Sequence, residues 1–513
     1  MKKILFIVIG CLSLLVKARA NNLVITTPPA YSSANKTLTF TITWDNSWSI
    51  NAGPSNWDAV WIFVKRQNCS GNNDWVHQLL STTSADHSVK TVSTGTTSTV
   101  VSVDAVADGM GVFVRRIGTN VTGSVAAQLV TIKLGDAGLG NTNPAITTSE
   151  SDNFQILGVE MVYVPQGAFY LGDGRAANTT NFSAGSTNQP LLITSAIQNA
   201  GIGAYSNYTA KVFNGNPTPL PATFPLGFNG FYCMKYEINQ GIMAEFLSSL
   251  TYDQQANLFM EYGDYRPNVA GNYFGPWNSY AYTTRVSAKG TFNTVAATFV
   301  SSYNYVPFGG FTWKVLTSFL DWSGLRPMTE FEYEKACRGT LLPIANEYPW
   351  GSTTITINNN NANSNWNNST AIAPITEGSC FYTGWDGSAA RNGALASANT
   401  NRSQSGATYY GILDIGGNQN EQCVGGGYGY DYSTFTAANG NGVLSNNGLA
   451  NTLGWPAVGG INSGTILKGG HFEIGSNTYL IQVSDRTYCQ GSALNDKSGW
   501  DRHIGGRGVR SYQ

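Results

Sequence analysis

The sequence predicts an α+β protein, in which an all-β sandwich is followed by a larger domain that also contains helices. Residues 38–44 alternate apolar side chains with threonine, which is the period of a half-buried strand. Residues 135–153 are polar and rich in glycine, as expected of a linker. Residues 329–339 carry the start and stop signals of a helix. These three observations indicate two domains that differ in secondary structure.

Residues 1–20 have the pattern of a secretory signal peptide. Two lysines precede an apolar run, residues 4–16, that is too short to cross a bilayer. The sequence Ala-Arg-Ala at residues 18–20 is a small-x-small cleavage site, so the mature chain is expected to begin at Asn21. A lipoprotein signal ending before Cys11 is the alternative, but the apolar run continues past that cysteine. No later apolar run has membrane length, so the sequence predicts a secreted or cell-surface protein without a transmembrane segment.

Residues 21–134 are predicted to form a β-sandwich of immunoglobulin type. Strand patterns occur at residues 38–44, 60–64, 100–103, 111–115 and 127–134. Turn sequences rich in Gly, Asn and Pro separate these strands, as in small sandwich domains. The tryptophans expected to fill the core and one edge are Trp44, Trp48, Trp57 and Trp61, and stacking of one of them on a carbohydrate is the alternative role. A linker is then predicted at residues 135–156.

The composition excludes some partners and favours others. Charged residues make up only 12% of the chain, against ~25% in typical globular proteins, and the net charge is −1. Such a chain has no electrostatic field that would recruit nucleic acid or anionic lipid. A neutral surface rich in Asn, Thr, Ser, Gly and Tyr is common in secreted proteins that bind glycans or assemble with one another. We therefore expect a protein or glycan partner or self-association, with a domain lacking any such role as the alternative.

Cysteine usage leaves two readings open. Apart from Cys11, the chain contains Cys69, Cys233, Cys337, Cys380, Cys423 and Cys489. An even number of cysteines in an exported chain allows disulfides, although the sequence does not determine their pairing. Buried free thiols are the alternative. None of the spacings is of the CxxC kind, so metal binding through cysteine is not expected.

The helix predicted at residues 329–339 has complete capping chemistry. Thr329 can cap the first turn, and Glu332 three residues later can return the bond. Acidic residues crowd the first turn, where the helix dipole favours them. Lys335 and Arg338 lie in the last turn, and Gly339 ends the helix.

This segment, Leu325 to Gly339, resembles the helix-entry signature of the formylglycine-generating enzyme (sulfatase-modifying factor) family. Further landmarks of that family follow in the same order, at residues 160–172, 236–240, 350–351, 411–418, 468–470 and 507–510. The resemblance implies that residues 157–513 adopt the family's variant of the C-type lectin fold. That fold has little regular structure, long irregular loops, a small twisted sheet and two helices.

The resemblance also implies where catalysis would occur. Catalytic members hold copper with two cysteines five residues apart, since soft thiolates suit Cu(I). When Arg486 is aligned with the family's arginine, Glu473 and Thr478 occupy the two cysteine positions. The interval 471–486 contains no cysteine, so a slip in the alignment does not restore the site. Formylglycine-generating oxidase activity is therefore not expected, and no catalytic residue is proposed.

Other family members use iron held by histidines. Only His471 and His503 fall in the second domain, which is too few for a three-histidine iron site. We expect His471 to have a structural role, bonded to backbone at a tight turn, and His503 to be a surface residue. The sequence thus contains no recognised copper or iron site.

Calcium is the one cofactor that the resemblance keeps open. A loop of the family often binds calcium through Asn, a backbone carbonyl and Glu, all hard oxygen ligands. Asn418 and Glu421 keep this pattern, although the loop's two tryptophans are replaced by Asn420 and Gln422. The alternative is that Asn418 and Glu421 only satisfy the loop backbone. The arginines within residues 507–510 are expected to form buried ion pairs that hold the C-terminus.

These observations favour a secreted, non-catalytic protein that uses the enzyme-like scaffold for binding or surface assembly. One alternative is a metal-dependent oxidoreductase of the same superfamily with unrecognised chemistry. Another is a subunit of an extracellular filament or coat. The apolar segment at residues 23–25 and the low charge would allow strand addition between such subunits.

Overall fold

The structure is a computed structural model that describes most of the chain after the predicted signal peptide. The described residues are 23–67, 74–92, 100–139, 153–174, 189–196, 223–260, 273–274, 286–289, 295–358, 376–381, 389–397, 399–425, 435–457, 464–487 and 502–512. Cys69 and Cys489 lie outside them. Within them the chain forms mostly strands with few helices, and its N-terminal part is rich in strands, as expected. The finer assignments, the α+β class and the immunoglobulin-type sandwich, stay predictions.

The N-terminal part consists of short and long strands joined by turns. Its strands are β1 (Val24–Ile25), β2 (Ala30–Ser32), β3 (Thr37–Ser49), β4 (Asp58–Gln67), β5 (Trp75–Leu80), β6 (Ser88–Thr91), β7 (Val101–Ala105), β8 (Val112–Arg116) and β9 (Val121–Leu139). A 3₁₀ turn at Ser84–Asp86 precedes β6. All five strand patterns identified in the sequence fall within these strands or overlap them.

The rest of the chain alternates short strands, helices and long connections. Its strands are β10 (Asn153–Val164), β11 (Phe169–Leu171), β12 (Leu191–Ile193), β13 (Phe231–Met234), β14 (Tyr273–Phe274), β15 (Val286–Lys289), β16 (Thr298–Ser301), β17 (Arg326–Pro327), β18 (Thr356–Asn358), β19 (Ser379–Phe381), β20 (Glu421–Val424), β21 (Thr465–Lys468) and β22 (Gly508–Ser511). Its helices are α1 (Gln240–Ser248), α2 (Tyr252–Met260), α3 (Trp313–Trp322), α4 (Glu330–Arg338) and α5 (Arg402–Ser405). None of the described helices has the length and apolar character needed to cross a membrane.

Helix α4 begins and ends where its sequence predicts. The backbone N–H of Glu332 donates to the Thr329 hydroxyl over 3.2 Å, and the Thr329 N–H donates to the Glu332 carboxylate over 3.0 Å. Gly339 follows the helix with a φ of 68°, a conformation that glycine adopts without strain. The polar side chains of this helix are buried rather than solvated. Glu332, for example, receives two bonds from the Arg326 guanidinium, at 2.6 and 2.8 Å.

One continuous sheet connects the N-terminal part to the rest of the chain. Strand β10 pairs with β4 in antiparallel register from Asn153↔Gln67 to Val162↔Asp58. The other edge of β10 pairs with β13, which pairs with β22, and β22 pairs with β17. Strand β9 reaches Leu139 and β10 begins at Asn153, so both ends of the predicted linker 135–156 belong to strands. The remaining linker residues lie outside the described ones, and the domain bounds stay a prediction.

Strand β4 is buried on both faces because it separates two hydrophobic cores. Successive side chains of a strand point to opposite faces. Ala59, Trp61 and Phe63 belong to the larger core, whereas Val60, Ile62 and Val64 belong to the smaller one. The smaller core also contains the alternating apolar residues of β3, and the larger one contains buried residues of α1, α3 and α4. The continuous apolar run of β4 is therefore a consequence of its position between the two cores.

Polar contacts accompany the shared sheet. Four side chains form hydrogen bonds between the N-terminal part and the rest of the chain. The bonds are Asn56 Nδ2 to Tyr410 O (2.8 Å), Trp57 Nε1 to Tyr232 Oη (3.0 Å), Trp61 Nε1 to Ser323 O (2.8 Å) and Arg510 Nη2 to Asp108 Oδ1 (2.6 Å). Trp44 and Trp61 are buried, as expected for core residues. Trp48 and Trp57 are half-buried, and both pack against the larger core. A carbohydrate-stacking role for one of these rings stays a prediction.

A fragment of residues 21–134, expressed alone, is expected to lack cooperative folding. It would lose the pairing of β4 with β10 and would expose the face of β4 that carries Trp61 and Phe63. Near-UV circular dichroism, thermal melting and size-exclusion chromatography can compare it with the mature chain. A monomeric fragment that melts cooperatively would show that the first region folds independently.

Candidate functional site

Three turns that are distant in sequence meet at one place. After β21 the chain reverses through Gly469 and Gly470, whose φ angles are 83° and 65°. The next turn residue, Phe472, donates its N–H to the carbonyl of Asn418 over 3.0 Å. Glycine tolerates these positive φ angles, which explains why the turn contains two of them. The predicted calcium loop and the family's cysteine interval are therefore in direct contact.

The third turn contains His503. Its carbonyl accepts the N–H of Asn420 over 2.8 Å, and Ile504 forms an isolated parallel bridge with Asn420. The rings of His471 and His503 lie 4.1 Å apart between centroids, at an angle of 37°. The sequence placed both histidines in the second domain but gave no sign that they touch.

Glu473 is at the centre of this site. Its carboxylate forms an ion pair with Arg502 and contacts His503 Nε2 over 2.6 Å. Its N–H donates to His471 Nδ1 over 3.1 Å, so the expected bond of His471 to backbone is present, while its structural role stays a prediction. We call Glu473, His471, Arg502 and His503 the Glu473 cluster. Arg502 was not identified from the sequence, because a lone arginine in a loop carries no pattern.

The side chains of the Glu473 cluster are only partly exposed to solvent. The side chains of Arg502 and His503 are 20% and 19% exposed, and that of Glu473 is 9% exposed. His503 was expected to be a surface residue, whereas it is half-buried and bonded. Phe472 beside it is fully buried among residues of a small apolar cluster. An arginine and a histidine therefore hold the Glu473 carboxylate in place at the rim of the fold.

The residues at the family's cysteine positions do not fit copper. Glu473 offers a hard carboxylate oxygen, and Thr478, in a 3₁₀ turn at Thr478–Ile481, offers a hydroxyl. Cu(I) prefers thiolates. The described cysteines are free and buried, namely Cys233, Cys337, Cys380 and Cys423. Burial raises the pKa of the Cys233 thiol to about 12, so this thiol stays protonated at neutral pH.

The two predicted calcium ligands already have protein partners. Asn418 Oδ1 accepts the N–H of Ala390 over 2.8 Å, and its Nδ2 donates to Glu237 over 2.6 Å. Glu421 Oε1 accepts from Arg507 Nε over 2.6 Å. Across the described ranges, no set of three or more His, Cys, Asp and Glu residues is arranged to hold a metal ion. As positioned, Asn418 and Glu421 Oε1 bond to protein groups. Calcium binding at this loop stays a prediction.

The burial of two carboxyl groups explains why Arg507 lies beside the 418–421 loop. Burial raises the pKa of Glu237 well above its usual value, and the nearby carboxylates of Asp414 and Glu421 raise it further. Burial also raises the pKa of Glu421, while the Arg507 guanidinium opposes that change. Arg507 therefore compensates charge that would otherwise be unfavourable in the interior. Glu237 lies in a family landmark, residues 236–240, but its contact with the 418–421 loop could not be seen from sequence.

The ion pairs expected for the C-terminal arginines are present. Arg507 pairs with Glu421 and Arg510 pairs with Asp108. Both guanidinium groups are fully buried. The second pair joins the last strand to the N-terminal part of the chain. These contacts show that Arg507 and Arg510 connect the C-terminal segment to other parts of the fold.

Replacing Gly417 or Gly470 by Val is expected to lower the free energy of unfolding by roughly 2–5 kcal/mol, from backbone strain and overpacking. A Cβ at Gly417, whose φ is 81°, would lie 2.4 Å from Cys380 Sγ, and one at Gly470 would lie 2.8 Å from Ile481 Cγ1. Gly123→Val is the control, because its φ is also positive but its Cβ would meet nothing within 4 Å. Urea unfolding checks this, and equal stability of all three variants and the parent would contradict it.

Replacing Glu421 by Gln is expected to destabilise the protein by about 3–5 kcal/mol, because it leaves the buried Arg507 without its carboxylate. The same loss is expected in calcium and in chelator. Thermal and urea melting of parent and variant in both conditions measures it. A stabilisation of the parent by calcium that the variant lacks would instead identify Glu421 as a calcium ligand.

One comparison with known proteins gives a family match. The profile of the Sulfatase-modifying factor enzyme 1-like domain matches residues 148–502. No curated protein matches the chain. The matched segment contains α4, Asn418, Glu421 and Glu473, and it includes most of the chain. This protein therefore belongs to the sulfatase-modifying factor family.

Proposed function

We propose that this is a secreted, non-catalytic protein that uses a formylglycine-generating-enzyme-like scaffold for binding or surface assembly. The observation that carries the proposal is the set of contacts made by the Glu473 carboxylate. At the position where the resemblance requires the first copper thiolate, this carboxylate pairs with Arg502 and contacts His503. A group held by two such partners is suited to keeping a turn in place rather than to copper chemistry.

The surroundings of the cluster support the same conclusion. Thr478 supplies no thiolate at the second position. The described thiols are buried, and Cys380 among them packs with Ile474 and Ile481 in an apolar cluster. The loop at residues 418–421 serves the interior through Arg507 and Glu237. At these family positions Glu473, Asn418 and Glu421 are thus bonded to other residues of the chain.

The finer description of the N-terminal region belongs to this proposal. We interpret residues 21–134 as an immunoglobulin-type sandwich, because β3 and β9 on one side and β4 and β8 on the other contribute to the smaller core. Sandwich domains often bind proteins or glycans through the loops at their two ends. With only 12% charged residues, the surface favours a neutral partner such as a glycan, another protein or a second copy.

The filament alternative makes a specific demand on the first described residues. Leu23 and Ile25 are buried in the smaller core, and β1 pairs with β3 through Val24↔Thr43 and Ile25↔Ile42. Donation of residues 23–25 as a strand to a second subunit would therefore require this segment to leave its own sheet. Negative-stain microscopy tests the filament alternative, and metal analysis of the purified protein tests the oxidoreductase alternative.

The mature protein is expected not to convert the cysteine of a Cys-x-Pro-x-Arg peptide to formylglycine in the presence of copper. The physical reason is that Glu473 and Thr478 provide no thiolate for Cu(I). Mass spectrometry of the peptide measures the conversion, with a catalytic member of the family as the positive control. Turnover at the rate of that control would refute the non-catalytic assignment.

A further inference from the structure

A buried lysine connects three separate parts of the chain. Lys65, on β4, is 1% exposed, and its Nζ donates to the carbonyl of Trp322 over 2.6 Å. The same nitrogen lies 3.4 Å from the carbonyl of Gly442 and 3.1 Å from His77 Nδ1. An ammonium group has three N–H donors, and these three acceptors match that number. Lys65 therefore joins β4 and β5 to the end of α3 and to the turn at Gly442.

His77 is held in one tautomer by its two neighbours. Its Nε2 lies 2.7 Å from the carbonyl of Met110, which can only accept, so Nε2 carries the proton. Nδ1 is then the acceptor for Lys65. The imidazole stacks parallel to the Phe63 ring with centroids 6.2 Å apart, and it is 1% exposed. Gly442 touches the ring, since a Cβ there would lie 2.5 Å from it.

The charged groups around this pair favour a neutral His77. The cations facing it are Lys65 and, from β22, Arg510, whose guanidinium is paired with Asp108. From α3, Asp321 attracts Lys65, but its oxygens already accept bonds from residues 441, 451 and 452. Burial, then Lys65 and Arg510, lower the pKa of His77 well below its usual value, against the opposing backbone bonds to Met110 and Trp322. Burial likewise lowers the pKa of Lys65.

We propose that Lys65 and His77 form a pH-sensitive latch, which holds the turn at Gly442 and the end of α3 against β4 and β5 and opens when His77 takes up a proton. The pair accommodates one proton on the lysine, with every donor matched to an acceptor. A second proton would occupy His77 Nδ1 and face the ammonium group 3.1 Å away. Two donors and two positive charges would then meet without solvent. The latch goes beyond the proposed binding role and does not depend on it.

The direction of the pH effect follows from proton linkage. In the open state His77 meets water and has a pKa near 6.5. The closed state binds this proton only at lower pH, so the open state takes up more protons as the pH falls below about 6.5. The closed latch is thus favoured above that pH and is lost in acid. With Lys65 charged in both states, titration of His77 alone should raise the opening constant roughly tenfold from about pH 7.5 to about pH 5.5.

Hydrogen exchange read by mass spectrometry tests the latch in the mature full-length protein. After correction for intrinsic exchange rates, peptides covering residues 320–324 and 440–443 should lose about tenfold in protection over this pH range, and helix α4 should not. His77→Gln should remove the pH dependence, since glutamine can donate to Met110 and accept from Lys65 without titrating. Lys65→Met should weaken it, because the facing ammonium group is gone and only burial still opposes protonation of His77, and this variant is measured if His77→Gln fails to fold.

His87→Gln is the matched control. His87 is a buried histidine of the same region, with Nε2 bonded to Ser81 O and Nδ1 accepting from Lys133 N. Burial lowers its pKa as well, yet its ring bonds to Ser81 and Lys133 rather than to α3 or the turn at Gly442. The pH dependence should therefore survive in this variant. Unchanged protection of the two peptides in acid, or pH-dependent opening that persists in His77→Gln, would overturn the proposal.

Discussion

The pairing of β4 with β10 is the contact on which the rest of this structure depends. It extends the N-terminal sheet into the family domain, and it places one strand between two hydrophobic cores. Each face of β4 contributes to a different core, so neither core is complete without it. At about 25 cal/mol for each Å² of apolar surface buried, a strand covered on both faces stabilises both regions at once. The two regions therefore share their stability.

Buried arginines are the second constraint, because their ion pairs connect separate segments of the chain. Arg326, Arg507 and Arg510 each place a fully or nearly fully buried guanidinium against a carboxylate. Desolvating such groups is costly, so a pair of this kind contributes less net stability than its short distances suggest. Its effect is on specificity, since any arrangement that separates the partners leaves a bare charge in the interior. The irregular loops of this fold depend on such side-chain contacts, because few of their backbone groups form the regular hydrogen bonds of helices or sheets.

The parts of the fold that the sequence predicts are those set by local chemistry. The cap of α4 depends on Thr329, Glu332 and Gly339 within eleven residues, and the strand at residues 38–44 depends on alternation alone. The Glu473 cluster could not be predicted in this way, because its members come from two turns joined only by tertiary packing. The same holds for Glu421, whose motif suggested calcium while its carboxylate contacts an arginine 86 residues further along the chain.

The shared sheet also determines how the molecule responds to mechanical load. Strand β1, near the predicted mature terminus, and strand β22, at the C-terminal end, both belong to that sheet. A force that pulls the two ends of the chain apart is carried from strand to strand through the ladders of β3, β9, β5, β4, β10 and β13. The backbone between β9 and β10 is bypassed, because the pairing of β4 with β10 already connects the two regions. The two regions would in this way transmit tension together.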